Sequence, residues 1–164
     1  MGLDMYLSKK TYVKNWSHQS PEEQHEVTVK KGGETHPNIQ PERVSYIVED
    51  VAYWRKFNAL HQWFVDNCQD GVDDCRTSYV DPSQLKELLE EVLKPIKEVN
   101  DSGDMENAQQ IASDLLPTQG GFFFGGLEYD DWYFQNVSDT IEILEKLVSE
   151  SDFDYSTFEY HSSW

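Results

Sequence analysis

Leu3, Met5 and Leu7 alternate with Asp4, Tyr6 and Ser8 near the start of the chain. A period of two marks a strand with one buried face, because successive side chains of a strand point to opposite sides. The same alternation returns at the other end, where Phe158, Tyr160, Ser162 and Trp164 interleave with Thr157, Glu159, His161 and Ser163. A strand is therefore expected at each terminus. Between them, RVSYIVEDVAYW is rich in β-branched and aromatic residues and reads as a strand that runs straight into a helix, RKFNALHQWFVDNCQ. At 100° per residue that helix collects Tyr53, Trp54, Phe57, Leu60, His61, Phe64, Val65 and Cys68 on one face, and Gly71 suits its stop.

TSYVDPSQLKELLEEVLKPIKEV combines a short strand with a second helix. Asp81 is a natural N-cap, Pro82 fits the first helical position and Gln84 completes a capping box. Its apolar face is Leu85, Leu88, Leu89, Val92, Leu93 and Ile96, and Pro95 should kink it or end it nearby. MENAQQIASDLL predicts a shorter helix closed by Pro117, and the stripe Phe134, Val137, Ile141, Leu144 and Val148 predicts a long last one. GGFFFGG, between these two helices, is too short for a helix and reads as the core of a buried strand. A phosphate-cradling loop there is disfavoured, because Glu128, Asp130 and Asp131 follow the glycines where a Lys or Arg would be needed.

Together these elements predict an α+β fold: a single twisted, mainly antiparallel sheet that includes both terminal strands, with about three helices packed on it. Residues 1–164 read as one domain. Within it, 14–42 is a loop-rich, variable region, with HEVTVKKGG offering a short strand.

Composition sharpens this picture. Apolar residues make up 38% of the 164, aromatics 13% and charged residues 27%, a globular balance. The net charge is -18, from 31 acids against 13 bases, and residues 101–164 hold 14 acids and a single base. Such a charge works against direct binding of nucleic acid or an anionic membrane. Two cysteines, Cys68 and Cys75, with no signal peptide or transmembrane run, point to free thiols in a reducing cytoplasm. The adjacent acids Asp73 with Asp74 and Asp130 with Asp131 suit turn and helix-cap chemistry better than a divalent cation, and no metal or cofactor is expected.

Two constellations could carry function. Trp54, Asn58 and His61 recur at helical spacing on or beside the buried face, so the two polar groups need partners from another element. Asp4 and Tyr6 on the first strand are the expected partners, giving a candidate pocket of Asp4, Tyr6, Trp54, Asn58 and His61. His61 there is either a base or binding group oriented by a carboxylate, or a core histidine satisfied in a polar network. The second constellation is acidic. Asp131, Asp139, Glu142 and Glu145, with Glu150 and Asp152 just beyond, can set out carboxylates along roughly 30 Å of helix. Such a row imitates the spaced negative charge of DNA, or it is a solvated polar face. No nucleophile elbow, Walker loop, dinucleotide fingerprint or zinc spacing is present, which weighs against an enzyme.

MGLDMYL, YWRKFNALHQWFV with QDGVDDC, LLPTQGGFFFGGLEYDDWYF and the terminal SSW resemble a family of small uncharacterised proteins of phages, prophages and bacteria. The resemblance covers most of the chain outside 14–42 and carries no catalytic residues with it. It implies a phage or mobile-element origin and action in the bacterial host cytoplasm. The expected function is an accessory protein that binds a host or defence protein through a basic surface of that partner. The alternative expectation is a small-molecule or nucleotide-binding protein, a hydrolase among the options, working around His61.

Overall fold

Alternation at the start of the chain places Leu3, Met5 and Leu7 in the core, with Asp4 and Tyr6 half-buried on the other side. They flank or lie on strand β1 (Asp4–Tyr12) of a computed structural model that describes residues 2–164. β1 belongs to a four-stranded, mainly antiparallel sheet with β4 (Tyr46–Arg55), β5 (Ser78–Val80) and β6 (Thr157–Ser163), in the order β4-β1-β6-β5. The two terminal strands are thus neighbours at the centre of the sheet. β5 and β6 pair antiparallel, with Ser78 opposite Tyr160 and Val80 opposite Phe158. A two-residue pair, β2 (Lys30–Lys31) and β3 (Glu34–Thr35), forms a separate hairpin. Gly32 and Gly33 turn it with φ of +61° and +85°, values that glycine adopts without strain. Only the end of HEVTVKKGG is therefore strand.

The helices are α1 (Asn58–Cys68), α2 (Pro82–Glu87), α3 (Lys94–Asp101), α4 (Met105–Leu115) and α5 (Asp131–Val148). Asp81 caps α2 as expected: its carboxylate accepts from the Ser83 N–H at 2.8 Å, while its own N–H donates to the Gln84 side chain at 2.9 Å. α2 and α3 form one rod joined by a π-helical turn, Leu88–Leu93. The Lys94 N–H reaches back to the Leu89 carbonyl, one residue further than in an α-helix. This wide turn immediately precedes Pro95, whose ring would crowd the carbonyl four residues back in a regular helix. The rod passes the proline without ending.

Two expectations are corrected. The helix expected to begin at Arg55 begins at Asn58, because β4 continues through Arg55. Ala52 and Trp54 are buried while Tyr53 and Arg55 are exposed, a period of two rather than 3.6. Lys56 then takes a left-handed backbone, φ +58°, at the junction. GGFFFGG is not a strand but a turn. Phe124 alone of its three rings enters the core, and Phe122 is 94% exposed.

Backbone contacts separate two compact units, Met1–Lys9 with Asp50–Trp164, and Lys10–Glu49. The larger holds one continuous core. Leu3, Met5, Leu7, Trp54, Val80, Phe158 and Tyr160 of the sheet meet Leu60 and Phe64 of α1, Leu85 and Leu88 of the long rod, and Val137 and Leu144 of α5. Its opposite sheet face carries Asp4, Tyr6, Tyr53, Arg55, Tyr79 and His161. The smaller unit contains the β2–β3 hairpin and a loop clamp in which Asn15 exchanges two 2.8 Å hydrogen bonds with the backbone of His25. Among the described residues no helix is long and apolar enough to cross a membrane.

Candidate functional site

α1 lies against β6 so that Phe64 stacks on Tyr160 with ring centroids 4.0 Å apart. One turn earlier His61 is wholly buried, with Nδ1 2.7 Å from the Tyr160 hydroxyl and Nε2 3.0 Å from the Asp73 carboxylate. The second approach is close but poorly aligned, so it is an electrostatic contact rather than a formed hydrogen bond. With the ring proton on Nε2, that N–H faces Asp73 and Nδ1 accepts from Tyr160. Burial, reinforced by the negative charge of Asp73, pushes the Tyr160 hydroxyl well above its ordinary pKa and keeps it a donor. Asp73 accepts in turn from the Trp164 indole at 3.0 Å. Phe124 closes the group, edge-on to His61 at 5.2 Å. The chain Tyr160–His61–Asp73–Trp164 is the oriented-imidazole arrangement that acid–base chemistry uses, but no reactant reaches His61 while Phe124 covers it.

The other four residues expected to form a pocket with His61 occupy three separate places instead. Asp4 and Tyr6 are on the sheet face away from α1. Asp4 accepts from the Tyr53 hydroxyl at 2.5 Å and the Arg55 guanidinium at 3.1 Å, and Tyr6 stacks on His161 at 4.8 Å. Trp54 points into the core and donates to Thr140 of α5 at 2.9 Å. Asn58 holds the glycine-rich turn: its amide donates to the carbonyls of Phe124 (3.0 Å) and Gly126 (2.8 Å), and its oxygen accepts from the Gln119 N–H (2.9 Å). The partners that sequence reasoning missed for His61 are Asp73 and Tyr160. The C-terminal alternation places Tyr160 on the same face as Phe158.

The acidic row is divided in the same way. Asp131, Asp139 and Glu142 are exposed on α5. Glu145 lies 3.5 Å from Lys94. Glu150 and Asp152 do not extend the row. They hold the Lys9 ammonium at 2.7 and 2.9 Å, and Lys9 is only 7% exposed. Burial alone would lower the Lys9 pKa, yet the two carboxylates leave it raised. The outward helical surface is nevertheless acidic. From Pro82 to Val148 there are fourteen carboxylates and four lysines, and Lys86, Lys94 and Lys97 are each held by an acid.

Two cavities flank the glycine-rich turn. One, of about 400 Å³, is lined by Gln62, Asp73, the turn from Gln119 to Phe124 and Trp164. The other, of about 470 Å³, is lined by Arg55, Lys56, Gly125, Gly126, Glu128, Asp130 and Trp132. Cys68 and Cys75 are free thiols, and burial pushes the Cys68 thiol up to about 12, far from a reactive thiolate. Among the described residues no three His, Cys, Asp or Glu side chains are grouped to hold a metal ion. Comparison with protein-family models, with curated proteins and with solved structures finds no match to this chain.

Proposed function

We propose that this protein acts by binding: a small acidic, phage-type accessory protein whose helical surface engages a basic, nucleic-acid-handling site on a host or defence protein and inhibits or redirects it. The observation that carries this reading is the excess of carboxylates over lysines along α2 to α5, with Asp131, Asp139 and Glu142 exposed on the longest helix. Clustered charge of one sign speeds encounter with an opposite surface and excludes nucleic acid from it. Glu150 and Asp152 belong to the scaffold under this reading. The test is capture from bacterial lysate at low and high salt by the native protein and by a D139N/E142Q/E145Q variant. A basic nucleic-acid-binding protein held at low salt by the native form and lost by the folded variant supports the proposal. Equal capture by both forms overturns it.

One observation favours a second reading, a small-molecule or nucleotide-binding protein with hydrolytic chemistry. Asp73 both contacts His61 and lines the 400 Å³ cavity beside Gln62 and Trp164. A metabolite retained by the native protein and lost by a folded His61→Gln variant would favour that reading over the first.

A further inference from the structure

We propose that the cavity between the β4–α1 junction and the start of α5 binds a small zwitterion, specifically a free α-amino acid with an aromatic or large apolar side chain. This goes beyond the partner-binding reading and uses a different surface. Its walls carry both signs of charge. Arg55 and Lys56 supply cations, Glu128 and Asp130 carboxylates, and Trp132 an exposed indole. Asp130 already caps α5 by accepting from the Tyr133 N–H at 3.0 Å, and Arg55 already meets Asp4. Lys56 and Glu128 are different: among the described residues neither has an ion pair, although both line the same cavity. Four of the six lysines of the larger unit, Lys9, Lys86, Lys94 and Lys97, close on a carboxylate at 2.5 to 2.9 Å. Here a cation and an anion face the same space without meeting, which is what a ligand bearing both charges requires.

The local backbone holds this arrangement. Lys56 is a non-glycine residue in the left-handed region, a strained conformation that surroundings must enforce. Its N–H donates to the Leu3 carbonyl at 2.8 Å, and its stem rests so close to Gly2 that a Cβ there would lie 3.0 Å from Lys56 Cε. Gly125 is also left-handed, φ +91°, and a Cβ on it would sit 3.2 Å from Lys56 Cβ. Asn58 fixes the turn that carries Gly125 and Gly126. At about 470 Å³ the cavity is in the size range of small-molecule sites. A simple anion would be repelled by Glu128 and Asp130, and a simple cation by Arg55 and Lys56. A ligand carboxylate on Lys56, its ammonium on Glu128 and its side chain against the Trp132 indole satisfies all three walls.

The test is calorimetric titration of the full chain with L-phenylalanine, with 3-phenylpropionate, which lacks the ammonium, and with phenethylamine, which lacks the carboxylate. L-phenylalanine should bind, and each single-charge analogue should bind about tenfold or more weakly, the usual effect of losing one charged hydrogen-bond partner. K56Q and E128Q should each weaken L-phenylalanine by a similar factor, and K56Q should leave phenethylamine unchanged. Absence of binding at millimolar L-phenylalanine, or equal binding of all three compounds, overturns the proposal. The comparison of ligands on the native protein decides the matter even if a variant fails to fold.

Discussion

Asn58 places three hydrogen bonds from one buried side chain on a turn that contains no regular structure of its own. Asn58→Ala removes the side-chain partner of two carbonyls, those of Phe124 and Gly126, and of the Gln119 N–H, so a loss of about 2–3 kcal/mol is expected in denaturant unfolding, with faster hydrogen exchange at the Gln119 amide. An unchanged exchange rate at Gln119 would show that the turn holds itself. Asn58 and His61 were legible as polar residues on a buried face that need partners. Their actual partners were not, since Gln119 and Gly126 lie some sixty residues further along and Tyr160 nearly a hundred. Asp4 and Tyr6 could have been set aside from sequence alone. The alternation that buries Leu3, Met5 and Leu7 turns Asp4 and Tyr6 away from any helix packed on that side.

At the scale of elements, periodicity located both terminal strands and all the helices, while boundaries and irregular segments escaped it. Trp54 illustrates the first failure. It sits where a period-two strand meets a 3.6-residue helix, and aromatic residues fit either pattern. GGFFFGG illustrates the second, because three consecutive apolar residues read as a buried strand unless one knows that side-chain and backbone groups elsewhere, those of Asn58 and Leu3, take up the hydrogen bonds of the turn. Glu150 and Asp152 were misread for a related reason: they look like an extension of the acidic helix, but their position after its end brings them to Lys9 of β1. An E150Q/D152N variant strips a buried ammonium of both counter-charges. It should lose roughly 2–4 kcal/mol of stability. A melting temperature equal to that of the native protein would mean that Lys9 simply swings out to water.

For the molecule as a whole, stability should hold up to about pH 10 and fall beyond it. Burial keeps the hydroxyls of Tyr133 and Tyr160 protonated well above the ordinary tyrosine range, whereas the unfolded chain releases those protons near pH 10. Above that pH the unfolded state binds fewer protons, so the balance shifts toward it. Lys9 acts in the same direction, since its raised pKa contributes stability that is present below about pH 10.4 and lost as pH climbs through the folded-state value. Tyr160→Phe should flatten the alkaline limb of a pH–stability curve, and an identical limb in that variant would assign the loss to other groups. The α+β class was legible at this scale because both chain ends carry strand periodicity and the middle carries helical periodicity. The division of charge between scaffold and surface was not, because composition counts carboxylates without saying which of them already face a lysine.

Strand β6 lies between β1 and β5, although more than 140 residues separate it from β1 along the chain. A ribosome delivers β1 first and β6 last. Throughout that interval β1 has an unfilled edge and β5 has no sheet to join, so the nascent polypeptide carries exposed pairing surfaces until its final strand emerges. The sheet is therefore completed only once Thr157–Ser163 has been made, and a chain cut short before this strand would have a gap at the middle of its sheet.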